Sequence, residues 1–337
     1  MSVTLKDIAE ELNLSVNAVS RALRNMSDIS PETTKLVQET AQRLGYRKNL
    51  AASYLRSAKS MMLGIIIPDI CNPVFSYMYK SIEKKCMENN YTLMLGNSNE
   101  NFKQETSMIE NMVAHGVDGI FIVPSKESQP QYPVLEQANI PYVLLQRNNA
   151  LNKKNFVQSD DYEGGYLAAE HLYSLGHRDF LLVFTNMRIS SANERYNGFI
   201  AYLKENGLSQ NNVQLLECDS TRAGGCECTK NWLKNQDVKN LSATAIFCFS
   251  DYIAYGVYSA LFEYGLNVPQ DVSVMGYDNN EYSAIIHPRL TTVDILPYDI
   301  GNHSANLMLE LLTDKKTETD GVVISPKLIV RSSTKEI

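Results

Sequence analysis

From residue 60 to about residue 290 the chain repeats one arrangement: a short run rich in Ile, Val, Leu or Phe, followed by a longer amphipathic stretch. The runs lie at 62–67, 92–96, 118–123, 141–145, 180–184, 213–216, 243–249 and 272–275, and helical stretches such as 74–89, 101–114, 161–175, 193–206 and 251–264 separate most of them. Runs that are apolar at successive positions, not at alternate ones, suit strands covered on both faces. Strand alternating with helix therefore implies parallel sheets flanked by helices, the α/β class. About eight runs are enough for two open sheets.

The first sixty residues follow a different rule. Thr4, with Asp7 three residues on, makes a capping-box-like start for a helix of about two turns with Leu5, Ile8, Ala9 and Leu12 on one face. Asn13 suits a sharp left-handed turn, and Ser15 caps a second helix carrying Val16, Val19 and Leu23. Ser30 and Pro31 open a third, whose stripe Leu36, Val37, Thr40, Ala41 and Leu44 ends at Gly45. Helix, short turn and capped helix make a helix-turn-helix within a three-helix unit.

Charge separates the same two regions. Residues 1–59 hold nine Lys or Arg against six Asp or Glu, a balance of +3; with −7 overall, the remainder carries −10. A small basic head on an acidic body is expected where only the head approaches phosphates. Residues 46–59 contain Arg47, Lys48, Arg56 and Lys59 and no acid, the best local candidate for backbone contact. The apolar run Met61–Ile67 is interrupted by Gly64 and stopped by Pro68, too short for a bilayer, and charges occupy the N-terminal stretch where a signal core would lie. No membrane association and a cytoplasmic location are expected.

The six cysteines are scattered, which suits free thiols in a reducing compartment. Cys226-Glu-Cys228 is the one close pair, and no neighbouring Cys or His cluster in the sequence completes a zinc site, so neither metal nor cofactor is expected. The five histidines are widely spaced, and no nucleophile elbow, phosphate-cradling loop or zinc helix occurs, which argues against an enzyme.

Thr4-Leu-Lys-Asp-Ile-Ala-Glu, Leu14-Ser-Val-Asn-Ala-Val-Ser-Arg-Ala-Leu23 and Asn25, continued by Tyr46 and Asn49, resemble the head of the lactose-repressor (LacI/GalR) family of transcription regulators. The resemblance puts Val16, Asn17 and Arg21 at base-reading positions. The residue types agree: Val can touch a thymine methyl, Asn can pair with adenine, and Arg can fork onto guanine. Thr4, Ser15 and Ser20 are better suited to phosphates. In the segment after Gly45, Leu55 matches a hinge leucine that wedges into the minor groove, though it also fits an ordinary linker; Asn49 and Arg56 are counted with the DNA-binding residues. Lys48 and Ser53 depart from the family's usual proline and arginine.

Further words, among them Val117-Asp-Gly-Ile-Phe-Ile-Val-Pro-Ser125, Asp160-Asp-Tyr-Glu-Gly-Gly165, Arg195-Tyr-Asn-Gly-Phe199 and Gly276-Tyr-Asp278, resemble the same family's periplasmic-binding-protein-like body. This implies a head at 1–45, a hinge at 46–60 and a body at 61–337. The body is expected to be two doubly wound subdomains, 61–160 with 291–320 and 161–290 with 321–337. Phe75, Asp160, Arg195, Ser250 and Asp278 then face the effector cleft, where a cation, carboxylates and a ring suit a sugar. Taken singly, each also has a structural reading: core residue, helix cap, ion-pair partner or turn.

Ser220, Ser250, Gln146 and Asp161 depart from the residues usual in sugar-sensing relatives, so the ligand's identity is not inherited. The implied protein is a homodimeric repressor of near-palindromic double-stranded DNA, controlled by a small molecule, a sugar. The alternatives are the same regulator controlled by a partner protein, and a sugar-processing enzyme.

Overall fold

The computed structural model describes residues 3–47, 59–125, 132–147, 154–313 and 319–337. Asn49, Leu55 and Arg56, and with them Lys48 and Ser53, lie outside the described residues. The chain divides into two compact units, Met1–Ser60 and Met61–Ile337.

The first unit contains α1 (Leu5–Leu12), α2 (Val16–Ala22) and α3 (Pro31–Leu44). Thr4 and Asp7 form a reciprocal capping box on α1, and Asn13 ends that helix in the left-handed conformation (φ 50°, ψ 40°). The Ser15 and Ser30 side chains accept from the backbone N–H of Ala18 and Thr33, each satisfying an otherwise orphaned donor of a first turn. Gly45 terminates α3 at φ 71°. Ile8, Ala9, Val19, Ala22, Val37 and Ala41 form the small core, with Tyr46 packed against it. Leu36 departs from the expected stripe: it is exposed, whereas Val37, Thr40 and Ala41 of the same stripe are buried.

The second unit holds two parallel sheets. In the first, β1 (Met62–Ile67), β2 (Thr92–Asn97), β3 (Gly119–Ile122), β4 (Tyr142–Leu145), β5 (Phe156–Ser159) and β11 (Val322–Ile324) take the order β11-β5-β4-β3-β1-β2. In the second, β6 (Phe180–Phe184), β7 (Val213–Glu217), β8 (Ala245–Cys248) and β9 (Ser273–Met275) take the order β7-β6-β8-β9. Central β6 is buried throughout, as its unbroken apolar run requires, whereas edge strand β7 has no buried residue. The strand β5 and the helices Arg222–Leu233 and Pro297–Thr313 have no counterpart among the sequence runs.

The last crossing falls later than expected. Val322–Ile324 pairs in parallel with β5, so residues 322–324 belong to the first sheet and not, as expected, to the second subdomain. The chain then returns: β12 (Lys327–Ile329) pairs antiparallel with β10 (Thr292–Asp294), Ser333 receives the Val274 N–H, and the Ile337 N–H reaches Leu175. The apolar edge of β5 needs a strand partner, and Val-Val-Ile supplies one.

Glycines set the closest helix approach in the second lobe. A Cβ on Gly165 would strike the Arg195 carbonyl, and one on Gly198 would strike that of Tyr162. The helices Asp161–Ser174 and Ser190–Glu205 therefore pack almost backbone to backbone, which brings Arg195 onto Asp161.

Candidate DNA-reading face and ligand cleft

On α2, Val19, Ser20 and Ala22 are buried while Val16 and Asn17 stand exposed; Val16, an apolar side chain, is 45% exposed. Both residues at the start of α2 are thus accessible, which contact with a groove requires. Thr4 and Ser15 are also exposed, though both hydroxyls are engaged in their helix caps. Ser20, expected to touch phosphate, is buried beneath the helix and its carbonyl accepts from Arg24 Nε at 3.1 Å. Arg21 is half-buried and pairs with Asp28, whose carboxyl it holds below the ordinary range.

The body's cleft opens beyond the carboxyl ends of the strands, where doubly wound sheets collect ligands. A cavity of about 360 Å³ is walled by Phe75, Gln146, Arg147, Arg195 and Asp278, among others. Four residues of the cavity wall adopt left-handed backbone: Asn99 (φ 53°), Glu100 (54°), Gln146 (58°) and Asp278 (103°), so part of the wall is held in conformations that aim its polar groups.

Arg195 is the centre of the second-lobe wall. Its Nε donates to Asp161 Oδ1 at 2.8 Å, its Nη1 to the Phe249 carbonyl, and its Nη1 stands 3.9 Å from Asp278 Oδ1. The guanidinium lies over the rings of Tyr277 (3.6 Å) and Phe249 (4.4 Å), and the Tyr277 hydroxyl also donates to Asp161. Burial works against the arginine's charge, and Asp161, Tyr277 and Asp278 together more than offset it, holding the guanidinium above its ordinary range. Burial drives the Asp278 carboxyl well upward, more strongly than Arg195 opposes it. One cation thus serves two buried carboxylates, and Asp278 is the one left facing the cavity.

In the first-lobe wall Arg147 forks onto Glu100 at 2.8 and 2.9 Å and onto the Pro124 carbonyl. Beside it, both polar atoms of the Gln146 amide are buried with no partner. Such a group costs on the order of 1–3 kcal/mol unless something satisfies it.

The structure brings Phe75, Arg195 and Asp278 together in the wall, but not Asp160 or Ser250. Asp160 caps helix Asp161–Ser174 by accepting from Glu163 N–H, and Ser250 caps helix Asp251–Glu263 by accepting from Ile253 N–H. The following residues carry the networks instead. Asp161 holds Arg195, and Asp251 receives hydrogen bonds from Asn280 N–H, Ser283 and Thr292. The sequence marks Gln146 only as a departure from sugar-sensing relatives and leaves Arg147, Glu100 and Phe249 out of the site; the available signal is that each polar one follows a strand run.

Residues 4–49 match the family of bacterial regulatory proteins, lacI family, and residues 169–334 match a periplasmic binding protein-like domain. An HTH-type transcriptional repressor PurR from Actinobacillus pleuropneumoniae is 30% identical over 336 residues, 99% of each chain. The lac repressor dimer bound to operator and the anti-inducer ONPF superposes with a TM-score of 0.87 at 25% identity, covering 99% of this chain and 100% of that one. A LacI family transcriptional regulator from Enterococcus faecium with bound ribose has a TM-score of 0.75 at 29% identity, covering 82% and 99%. A helix-turn-helix unit joined to a two-sheet body with a polar cleft defines a DNA-binding transcription regulator. The chain belongs to the lacI family. Among the described residues no helix is long and apolar enough to cross a membrane.

Proposed function

We propose that this regulator is a cytoplasmic, non-catalytic homodimer that reads a near-palindromic operator and is controlled by a sugar bound in the cleft. The unpartnered Gln146 amide carries the ligand half of the reading: two buried donor and acceptor ends face a cavity whose opposite wall presents Asp278 and Arg195. Adjacent hydroxyls, each both donor and acceptor, match an amide beside a carboxylate, and Phe75 and Phe249 offer apolar faces to C–H groups. The ribose held by the Enterococcus faecium regulator and the operator held by the lac repressor dimer support the two halves. Val16, Asn17 and Arg21 are assigned to base edges, Thr4 and Ser15 to phosphates. Asn49, Leu55 and Arg56 keep their assignment from sequence, and so does Ser20, although it is buried.

Control works by population. A sugar that binds one arrangement of the two lobes better than the other shifts the dimer toward it. A thermal-shift panel of pentoses and hexoses tests this: a binding sugar raises the melting temperature of the body, by about 2.7 kcal/mol of stabilisation at a hundredfold excess over Kd. Gln146→Ala abolishes that rise while operator binding survives. No shift from any sugar, with a shift from a partner protein, transfers control to the protein.

A further inference from the structure

Adjoining the ligand cleft, with Glu100, Asp219 and Ser220 in both walls, a second recess of about 740 Å³ lies against β7 and helix Arg222–Leu233. Cys218, immediately after β7, and Cys228, on that helix, both line it. Cys228 Sγ donates to the carbonyl of Glu217, the residue preceding Cys218, at 3.9 Å, and the two thiols interact electrostatically. Both are free and partly exposed. Cys226 is two positions from Cys228, hence about 200° around the helix, and interacts with Lys230 instead. Cys86 and Cys248 are buried.

We propose that Cys218 and Cys228 are an oxidation site, a dithiol that closes to an intramolecular disulfide on reaction with a low-molecular-weight disulfide. The open recess admits the reagent, and the pairing of the two sulfurs supplies the resolving thiol. Cys228 is the attacking group: it lines the open recess, and its pairing with Cys218 holds its thiol below the ordinary range. The Cys228 thiolate attacks one sulfur of the reagent RSSR, breaking its S–S bond and releasing RS⁻. Cys218 then gives its proton to solvent and attacks Cys228 Sγ, releasing the second RS⁻. Two thiols are oxidised to one cystine, and RSSR is reduced to two RSH after proton uptake.

In a reducing cytoplasm the dithiol is the resting state, and the disulfide is the transient, signal-bearing one. The bond closes a ring over residues 218–228. Asp219, Ser220 and Thr221 inside that ring line the ligand cavity, so the cross-link sits in the cavity's own wall.

The sole tryptophan, Trp232, lines the same recess, with Nε1 donating to Gln214 at 3.0 Å, and reports on it directly. The test treats the reduced full chain under native conditions with oxidised glutathione, followed by peptide mapping and Trp232 fluorescence. Wild type gives a Cys218–Cys228 cross-linked peptide, the loss of two hydrogens without retained glutathione on either residue, and an emission change that dithiothreitol reverses. Cys218→Ser keeps a glutathione adduct on Cys228 and forms no cross-link; Cys228→Ser forms neither. Overturning results are wild-type adducts that never resolve, a cross-link that maps to Cys226 or Cys71, or an unreactive Cys228 alongside a reactive Cys71. None of these readouts depends on which ligand, if any, occupies the cleft.

Discussion

Replacing Arg195 with Ala should unfold the body far more readily than its location at a cavity rim suggests. The substitution removes a cation that is 2% exposed and leaves Asp161, 1% exposed, with Tyr277 as its remaining side-chain donor. Breaking a buried pair from one side costs about 3–5 kcal/mol, because the surviving charge has neither water nor a counter-charge beside it. Lost stacking on Tyr277 and Phe249 is part of that figure and is not added to it. For a unit this size each kcal/mol moves the melting temperature by about 2–4 °C, so a loss of about 4 kcal/mol lowers it by roughly 8–16 °C.

Trp232 lies in the body, and its fluorescence follows this transition without interference from the head. The mechanism makes a second demand. Adding Asp161→Asn to Arg195→Ala removes the stranded charge and should restore at least half of the loss. Acid should do the same, since an orphaned carboxyl has a folded-state pKa above its unfolded value and its penalty fades as pH falls through that folded value. A melting temperature within about 2 °C of wild type, or no recovery in the double variant, would refute the account.

Other expectations follow from the same structure. Arg21→Ala and Asn17→Ala should each relax preference at one base pair of a selected operator by about 1–3 kcal/mol, while Lys48→Ala weakens all sequences alike and flattens the salt dependence, checked by random-site selection and salt titration. Burial raises Asp251 from 3.8 to about 6, more than its donors Ser283 and Thr292 lower it. That group's penalty is full above pH 6 and vanishes below 3.8, so acidification across this window should stabilise the body by up to about 3 kcal/mol, a slope missing in Asp251→Asn denaturation curves. Gly165→Ala should cost more than the roughly 1–3 kcal/mol of ordinary overpacking, because the added methyl meets the Arg195 backbone, which cannot rotate away; urea unfolding measures it.

Local rules made the head legible. The caps Thr4, Ser15 and Ser30, the left-handed Asn13 and the terminator Gly45 all act within four residues of themselves, and the structure places each as its neighbours in sequence dictate. Strand runs buried on both faces were equally readable, because covering both faces demands unbroken apolar sequence. The site was only partly so. Of two neighbouring polar residues, sequence favoured Asp160 over Asp161 and Ser250 over Asp251, whereas the fold makes Asp160 and Ser250 caps and gives the buried networks to Asp161 and Asp251. Which of two neighbouring acids caps and which pairs depends on the partner that arrives from another helix, and Arg195 arrives there because Gly165 and Gly198 let two backbones touch. The Arg21–Asp28 pair, the placement of Val322–Ile324 beside β5 and the unpartnered Gln146 amide are likewise products of tertiary packing. Local pattern was enough for most elements, their order and the two kinds of surface, β5 and the helices Arg222–Leu233 and Pro297–Thr313 excepted; which polar groups lost their water together was left to the packed chain, because that depends on distances between residues on different elements.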